Sequence, residues 1–317
     1  MHARRWVVAL VALGALAFVG AAPRLLSAFM VQFVINLFML AILAESWNII
    51  GGFTGYASFG NVAFFGLGAY TTGILMTKVA LPLPVALAGA TVVPMLFAAA
   101  IGLPILRLKG HYFAIATLGV AETMREVVYN VELTGAGTGL VMPIARTPAL
   151  FFYLMLAILV AVTLVNGWLA RSRFGYGLVA IREDEDAAAA MGIDTARYKT
   201  IAFAMSGAFA GITGGVFAYW ITFIDPDAVF RVIITIQMII MAVFGGAGTV
   251  VGPLLGALVL ASVSEVLSTQ LVALAELFNG LIVILVVLFM PKGLLEVLKA
   301  GRGSFRVMTR NLREYRV

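Results

Sequence analysis

The chain has 317 residues, of which 62% are hydrophobic and only 11% charged, with 21 Lys and Arg against 15 Asp and Glu for a formal charge of +6. A soluble domain carries about 25% charged residues, so this composition cannot cover a water-facing surface, and the mean hydropathy of +1.07 agrees. The absence of cysteine excludes a disulfide scaffold, thiolate catalysis and iron–sulfur ligation, and glycine without a strict period excludes collagen.

Uncharged stretches run over 6–23, 25–44, 46–77, 79–106, 147–170, 200–224 and 232–264. A helix needs about 20 residues to cross the hydrocarbon core, and the short alternating segments of a membrane barrel are missing. The expected fold is therefore an all-α polytopic membrane protein with about ten spans. These fall near 6–22, 29–49, 62–79, 85–105, 112–130, 149–170, 200–221, 231–245, 250–268 and 276–290. The first follows Arg4 and Arg5 and ends in Val19-Gly20-Ala21, which also resembles a leader cleavage site; it is kept here as a span. The runs 46–77 and 232–264 are too long for one straight helix and are interrupted by glycine clusters, while 79–106 ends in Pro104. The fifth span is the most polar, with Glu122, Arg125 and Glu126 spaced to pair on one face. If it dips in and leaves, the count falls to nine.

Basic residues set the orientation. With the N-terminus inside, the inner segments hold Arg4, Arg5, Arg107, Lys109, Arg171, Arg173, Arg182, Arg197, Lys199, Lys292, Lys299, Arg302, Arg306, Arg310, Arg313 and Arg316. Only Arg24, Lys78, Arg125, Arg146 and Arg231 lie outside or near the outer boundary. Both termini are thus expected in the cytoplasm, and 1–317 reads as one transmembrane domain. The basic tail, 291–317, follows a membrane segment directly, so attraction to membrane lipid is expected and nucleic-acid binding is not. His2 and His111 supply no histidine-rich set, so no metal site is expected.

Two glycine blocks stand out in the apolar sequence. The first holds Asn48, Gly51, Gly52, Thr54, Gly55, Tyr56, Ser58, Gly60 and Asn61; the second holds Gly245, Gly246, Gly248, Thr249, Gly252 and Gly256. Backbone without helical bonding survives in a membrane only inside protein or beside a water-filled cavity, and glycine permits both irregular backbone and close helix approach. Corresponding broken helices in two halves point to a central transport pathway, and packing at helix crossings accounts for the same glycines. Glu45 and Glu265 are carboxylates that fall within expected spans other than the fifth. They read as residues near an interface or sealing a helix contact, or else as ion-relay groups.

The polar segment 171–199 is the longest insertion between spans, and 178–191 reads as a short helix. Its acids sit toward the N-terminal end, Ala187 to Ala190 favour helix, Gly192 supplies a stop, and Asp194 and Thr195 are the residues to cap the segment leading into the next span. Such an insertion is either a solvated loop or a helix that docks into a groove on a partner. The outer loop 131–148, with its spaced glycines, lacks the Lys-Ser or Lys-Thr of a phosphate loop, and no such motif occurs in the chain.

Three blocks carry a family resemblance: Trp47 to Gly60 continued by Phe64 to Tyr70, the 171–199 loop running into Ala202-Phe203, and Gly245 to Ala257 with Met290-Pro291-Lys292-Gly293. Together they resemble a permease subunit of the branched-chain amino acid class of ATP-binding-cassette importers, the longer of the two paired permeases. Asp186, Ala187, Ala188 and Gly192 are similar to the Glu-Ala-Ala signature with a glycine four residues beyond it, with aspartate in place of glutamate. The resemblance implies a type II-like importer fold in a bacterial inner membrane, and an ATPase-coupling element that includes Arg182, Glu183, Asp186, Ala187, Ala188 and Gly192. It implies a second homologous permease, two ATPase subunits and a periplasmic substrate-binding protein as partners. ATP would sit on the partner subunits, with no cofactor on this chain and no enzymatic activity of its own. An ion-coupled secondary amino-acid transporter is the alternative, in which Glu45 or Glu265 is essential.

Overall fold

The computed structural model describes residues 23, 25–144, 147–270 and 294. The expected spans 6–22 and 276–290, and all of the basic tail except residue 294, lie outside the described residues.

The described chain is a bundle of long helices. Helix α1 spans Ala28–Trp47 and continues through a wide π turn, Asn48–Gly52. Next come α2 (Asn61–Thr77), α3 (Leu83–Ile105), α4 (His111–Asn130) and α5 (Pro148–Leu169). Two short helices, α6 (Arg173–Glu183) and α7 (Glu185–Ala190), lead to the 27-residue α8 (Thr195–Ile221). The described part ends with α9 (Pro226–Val229), α10 (Val232–Gly245) and α11 (Gly252–Gln270). All eight expected spans within the described residues are therefore helical. A small departure from an all-α fold is an antiparallel ribbon of β1 (Leu140–Val141) and β2 (Phe223–Ile224), which ties two interhelical loops together with Leu140 opposite Ile224.

Local sequence explains the boundaries. Ser27 caps α1 by accepting from the Met30 N–H at 3.3 Å, and Asp194 caps α8 by accepting from Arg197 N–H at 3.0 Å, as expected. Helix α3 follows Pro82, carries Pro94 and Pro104 inside, and ends at Ile105, where the expected span ends. Arg125 on α4 pairs with Glu122 at 3.2 Å and with Glu126 at 3.7 Å, the one-face arrangement the spacing predicts, and adds Asp227 at 3.3 Å.

Five described helical segments are long and apolar enough to cross a membrane: Ala28–Gly52, Leu83–Ile105, Pro148–Leu169, Thr195–Ile221 and Pro226–Gly245. Helix α2 falls short at 17 residues, and α4 carries the Glu122–Arg125–Glu126 set. Leu96, Leu103 and Leu164 stand more than half exposed on the long helices, an apolar exterior suited to lipid.

Helix α8 sits at the centre, packed chiefly against α2 and α3. Gly207, Gly211 and Gly215 recur every fourth residue and form a bare stripe facing α3. A Cβ on Gly211 would lie 2.4 Å from the Ala90 carbonyl oxygen and 2.5 Å from the Pro94 ring. On the side toward α2, a Cβ on Gly214 would lie 1.9 Å from the Phe65 oxygen, and one on Gly68 of α2 would lie 1.9 Å from the Gly211 oxygen. These helices touch backbone to backbone. Phe64 and Phe203 pack edge to face at 5.0 Å beside the contact.

Gly214→Val must therefore move backbone. Overpacking typically costs about 1–3 kcal/mol, and the upper end is expected here, read as a lowered thermal midpoint of the purified protein. Gly119→Ala on α4, where a Cβ meets nothing within 4 Å, is expected to hold or slightly raise that midpoint, because alanine favours helix.

Candidate functional site

The two glycine blocks meet. Where α1 passes into the π turn, the side chain of Asn48 is fully buried and grips the second block from both ends of its amide. Its Nδ2 donates to the Thr249 carbonyl at 3.0 Å, and its Oδ1 accepts from the Gly248 N–H at 2.7 Å. Asn166 of α5 adds a contact at 3.2 Å to the Asn48 Nδ2. Gly52 makes the approach possible, since a Cβ there would lie 1.9 Å from Asn48 Oδ1 and 2.5 Å from the Gly248 nitrogen. Gly248 itself adopts a φ of +76° that glycine tolerates. Within the second block, α10 and α11 turn so tightly that a Cβ on Gly245 would lie 1.7 Å from the Gly252 oxygen.

Beyond the π turn the chain runs irregularly to α2, and its polar groups find side-chain or backbone partners one by one. Trp47 Nε1 donates to the Ser58 carbonyl at 2.8 Å, and Thr54 donates to the Ile50 carbonyl. The Phe59 N–H reaches Thr117 of α4 at 3.0 Å and the Val62 N–H reaches Thr235 of α10 at 3.0 Å. Asn61 donates to Ser206 of α8 at 2.8 Å.

The 171–199 segment reaches this joint at two places. Arg182, near the end of α6, sends Nη1 to the Gly52 carbonyl at 3.2 Å, while its other nitrogens hold Glu183 at 2.8 and 3.1 Å. A Cβ on Gly248 would come within 2.6 Å of that same Nη1, so the guanidinium sits at the meeting of both glycine turns. The second link is a buried ion pair. Lys199 Nζ donates to Glu185 Oε1, to Tyr56 Oη at 2.9 Å and to the Leu106 carbonyl at 2.7 Å. The Tyr56 hydroxyl in turn donates to Glu185 Oε2. The Lys199 side chain is 3% exposed and that of Glu185 17%.

Electrostatics follow from this geometry. Burial acts to raise the Glu185 carboxyl, but the bonds from Lys199 and Tyr56 and the Lys199 charge outweigh it and hold it below the ordinary 4.5. Burial, the Glu185 hydrogen bond and the Glu185 and Asp186 charges push the Tyr56 phenol upward, so it stays protonated as the donor the triad needs.

The chain matches the family model described as the permease component of branched-chain amino acid transport systems, over residues 29–290. It belongs to that family. The permease is 30% identical over 288 residues to the high-affinity branched-chain amino acid transport system permease protein LivM of Escherichia coli, covering 81% of this chain and 67% of that protein. It is 29% identical over 301 residues to the LivM protein of Salmonella typhimurium, covering 83% and 70%. A shorter stretch of 122 residues, 37% of this chain and 33% of the relative, is 32% identical to the autoinducer 2 import system permease protein LsrC of Salmonella typhi. No solved structure matches. The permease is thus a multi-pass membrane transport protein without enzymatic activity.

The structure draws Asn48, Gly52, Gly248, Thr249 and Arg182 into one joint. Asn48, Thr54, Ser58 and Asn61 are buried, and each bonds to protein elsewhere in the fold, so in this conformation none of them lines an opening. Gly51 packs on the Trp47 ring and Gly60 on Thr117. Glu183, Asp186, Ala187 and Gly192 instead form an exposed face, with Ala188 turned inward. The single helix expected over 178–191 is corrected to two. Asp184 leaves the helical region at φ −160° and accepts from the Asp186 and Ala187 N–H groups at 2.9 Å, which stops α6 and starts α7. Gly192 has φ +88° and open space before it, consistent with the expected stop. Two residues of this segment give no signal in the sequence pattern. Met191 is a large apolar side chain left 85% exposed beside Gly192, and Glu185 is the partner of Lys199.

Removing one member of a buried ion pair typically costs about 3–5 kcal/mol, so Lys199→Met is expected to destabilise the purified permease by about 3 kcal/mol. Glu185→Gln in addition is expected to recover part of that loss, measured as thermal midpoints of the two variants. Because the folded Glu185 is held low, its stabilisation is complete above the ordinary 4.5 and is lost as pH falls below that value. Glu185→Gln is accordingly expected to flatten the decline of the thermal midpoint on acidification through that range.

Proposed function

We propose that the permease is the membrane subunit of an ATP-binding-cassette importer for branched-chain or related amino acids in a bacterial inner membrane. It pairs with a second homologous permease in a type II-like arrangement, carries ATPase subunits on its inner face and receives substrate from a periplasmic binding protein. The eight expected spans among the described residues, taken with 6–22 and 276–290, make ten, with both termini in the cytoplasm and the tail on anionic lipid. ATP binds the partner subunits. The names of the relatives support the substrate class, and the distribution of basic residues supports the orientation.

The observation that carries the mechanism is Arg182 seated on the Gly52 carbonyl. The exposed face of Glu183, Asp186, Ala187, Met191 and Gly192 meets the ATPase. The other side of the same loop reaches the joint through the partly exposed Arg182 and holds the chain after the π turn through Glu185, Lys199 and Tyr56. Closing of the ATPase pair displaces the loop, and the displacement reaches the Asn48–Gly248 contact directly. In this reading the meeting of the glycine turns is the inner gate of the pathway, closed in this conformation, and 171–199 is the coupling loop.

Gly192→Arg places a bulky cation in the open space at the docking face and is expected to abolish co-purification of the ATPase subunits from the native host. Arg182→Ala keeps that face and loses a charged hydrogen bond worth about 1.5–3 kcal/mol. It is expected to retain the ATPases yet lower uptake of labelled amino acid by about tenfold. Wild-type permease that brings down no ATPase sinks the proposal.

One observation favours an ion-coupled secondary transporter. Glu45 is fully buried on α1, and its carboxyl oxygens find no hydrogen-bond partner among the described residues. Its neighbour Asn166 donates to its backbone carbonyl at 3.2 Å, so the residue lies at the contact of α1 with α5. In the importer reading Glu45→Gln preserves ATP-driven uptake; abolished uptake with intact assembly favours the secondary transporter.

A further inference from the structure

The end of α5 that leads into the 171–199 loop borders a groove that none of the described residues fills. Leu164, Gly167, Trp168 and Arg171 follow one another at helical spacing and form one stripe that runs off the end of the helix. Val250, from the second glycine turn, forms the facing wall. The groove has a volume of about 580 Å³, is open along its side and is mostly apolar. Sites for small ligands run from about 300 to 1,000 Å³, and one acyl chain falls within that range.

The floor of the groove is bare and its wall is held in place. A Cβ on Gly167 would meet only Val250 Cγ1, at 4.0 Å, so no neighbouring helix requires a glycine there. On α8, by contrast, a Cβ at Gly211 or Gly214 strikes backbone. Glycine inside a helix is a net cost, and here it leaves a flat strip between the indole and Val250. Trp168 is more than half exposed, yet its ring stacks on Phe174 at 6.1 Å, and Phe174 stacks on Tyr198 at 4.8 Å. This column of rings, drawn from α5, α6 and α8, fixes the indole at the end of a membrane helix, where its amphipathic ring suits the boundary between lipid and water.

The mouth of the groove supplies charge. Arg171 is exposed and pairs with no carboxylate among the described residues. Ser172 beside it is occupied in capping α6, where it accepts from the Gly175 N–H at 3.0 Å. An occupant that matches both parts has a hydrocarbon chain for the apolar strip and an anionic head for the guanidinium. We propose that the groove binds one anionic phospholipid of the inner leaflet. An acyl chain lies over Gly167 between Trp168 and Val250, and the phosphate meets Arg171 at the membrane surface. The proposal rests on the inner placement of 171–199 in the importer reading. It sets a lipid directly behind the joint, since Val250 follows Thr249 and Gly167 follows Asn166, both of which contact the Asn48 amide. The second permease then packs on another face.

The test places the assembled importer in phosphatidylcholine vesicles that contain a growing fraction of phosphatidylglycerol with brominated acyl chains. Such chains quench an indole that they touch, and the difference between wild type and Trp168→Phe isolates the Trp168 signal. Half of its loss is expected at a lipid fraction about fivefold lower than with brominated phosphatidylcholine, the preference that one interfacial arginine supplies. Arg171→Gln is expected to bring the two lipids level, and so is Gly167→Phe, which fills the floor. Equal quenching of the wild type by both lipids overturns the proposal, because the groove is then ordinary lipid boundary. Absence of quenching by either overturns it too, because the second permease then covers the ring. A preference that survives both substitutions also overturns it, since the charge then comes from elsewhere, such as the basic tail. Where Gly167→Phe fails to assemble, Arg171→Gln carries the test. Failure of the importer orientation is seen separately: Arg171→Cys, in a chain with no other cysteine, then reacts with a membrane-impermeant thiol reagent applied from outside, while the preference for phosphatidylglycerol stands.

Discussion

Every other feature of the site depends on the amide of Asn48. A helix that ends inside protein leaves backbone groups that need partners, and α1 ends next to another interrupted helix. One side chain resolves much of the difficulty at both breaks, because an amide offers a donor and an acceptor on a single rigid plane. It donates to Thr249 and accepts from Gly248, so the two irregular segments satisfy each other across 200 residues of sequence. Without side chains at Gly52 and Gly248 the backbones approach closely enough for this to work. The tight packing of α8 on α2 and α3 then fixes where the two breaks meet.

The contacts around this joint divide into two kinds. Packing along the bare stripe of α8 leaves no space for even a Cβ between the helices, so it offers little room for rearrangement. The links to the 171–199 loop are polar and few: Arg182 on the Gly52 carbonyl, and the Lys199–Glu185–Tyr56 triad. Polar links of this kind exchange partners readily once water or another charge enters. The loop is therefore tied to the part of the fold that is irregular, and not to the part that is densely packed.

Much of the fold was legible in the sequence because hydrophobic length and glycine content act locally. Eight expected spans are helices, and the two glycine blocks mark the broken ends. The pairing between them was not legible, since a lone Asn48 in an apolar run does not name its partner. Nor was the break at Asp184: four successive acids, Glu183 to Asp186, offer several capping choices, and only the folded chain selects one. In the sequence Lys199 is one more basic residue of the inner segments. Its partner Glu185 lies 14 positions earlier, and the fold-back that joins them is set by Gly192 and Asp194 rather than by either charge.

The bare stripe on α8 has a mechanical consequence. Three helices held at backbone distance respond to a push as one stiff body, and stiffness concentrates bending wherever the chain is least regular. In this protein that place is the π turn at Asn48–Gly52, a widened ring of backbone with the looser geometry such turns have. Helix α1 is then a lever and the turn its fulcrum: a small displacement at the loop end swings the far half of the helix through a larger arc. Glycine spent on rigidity in one helix thus determines where flexibility is available in another.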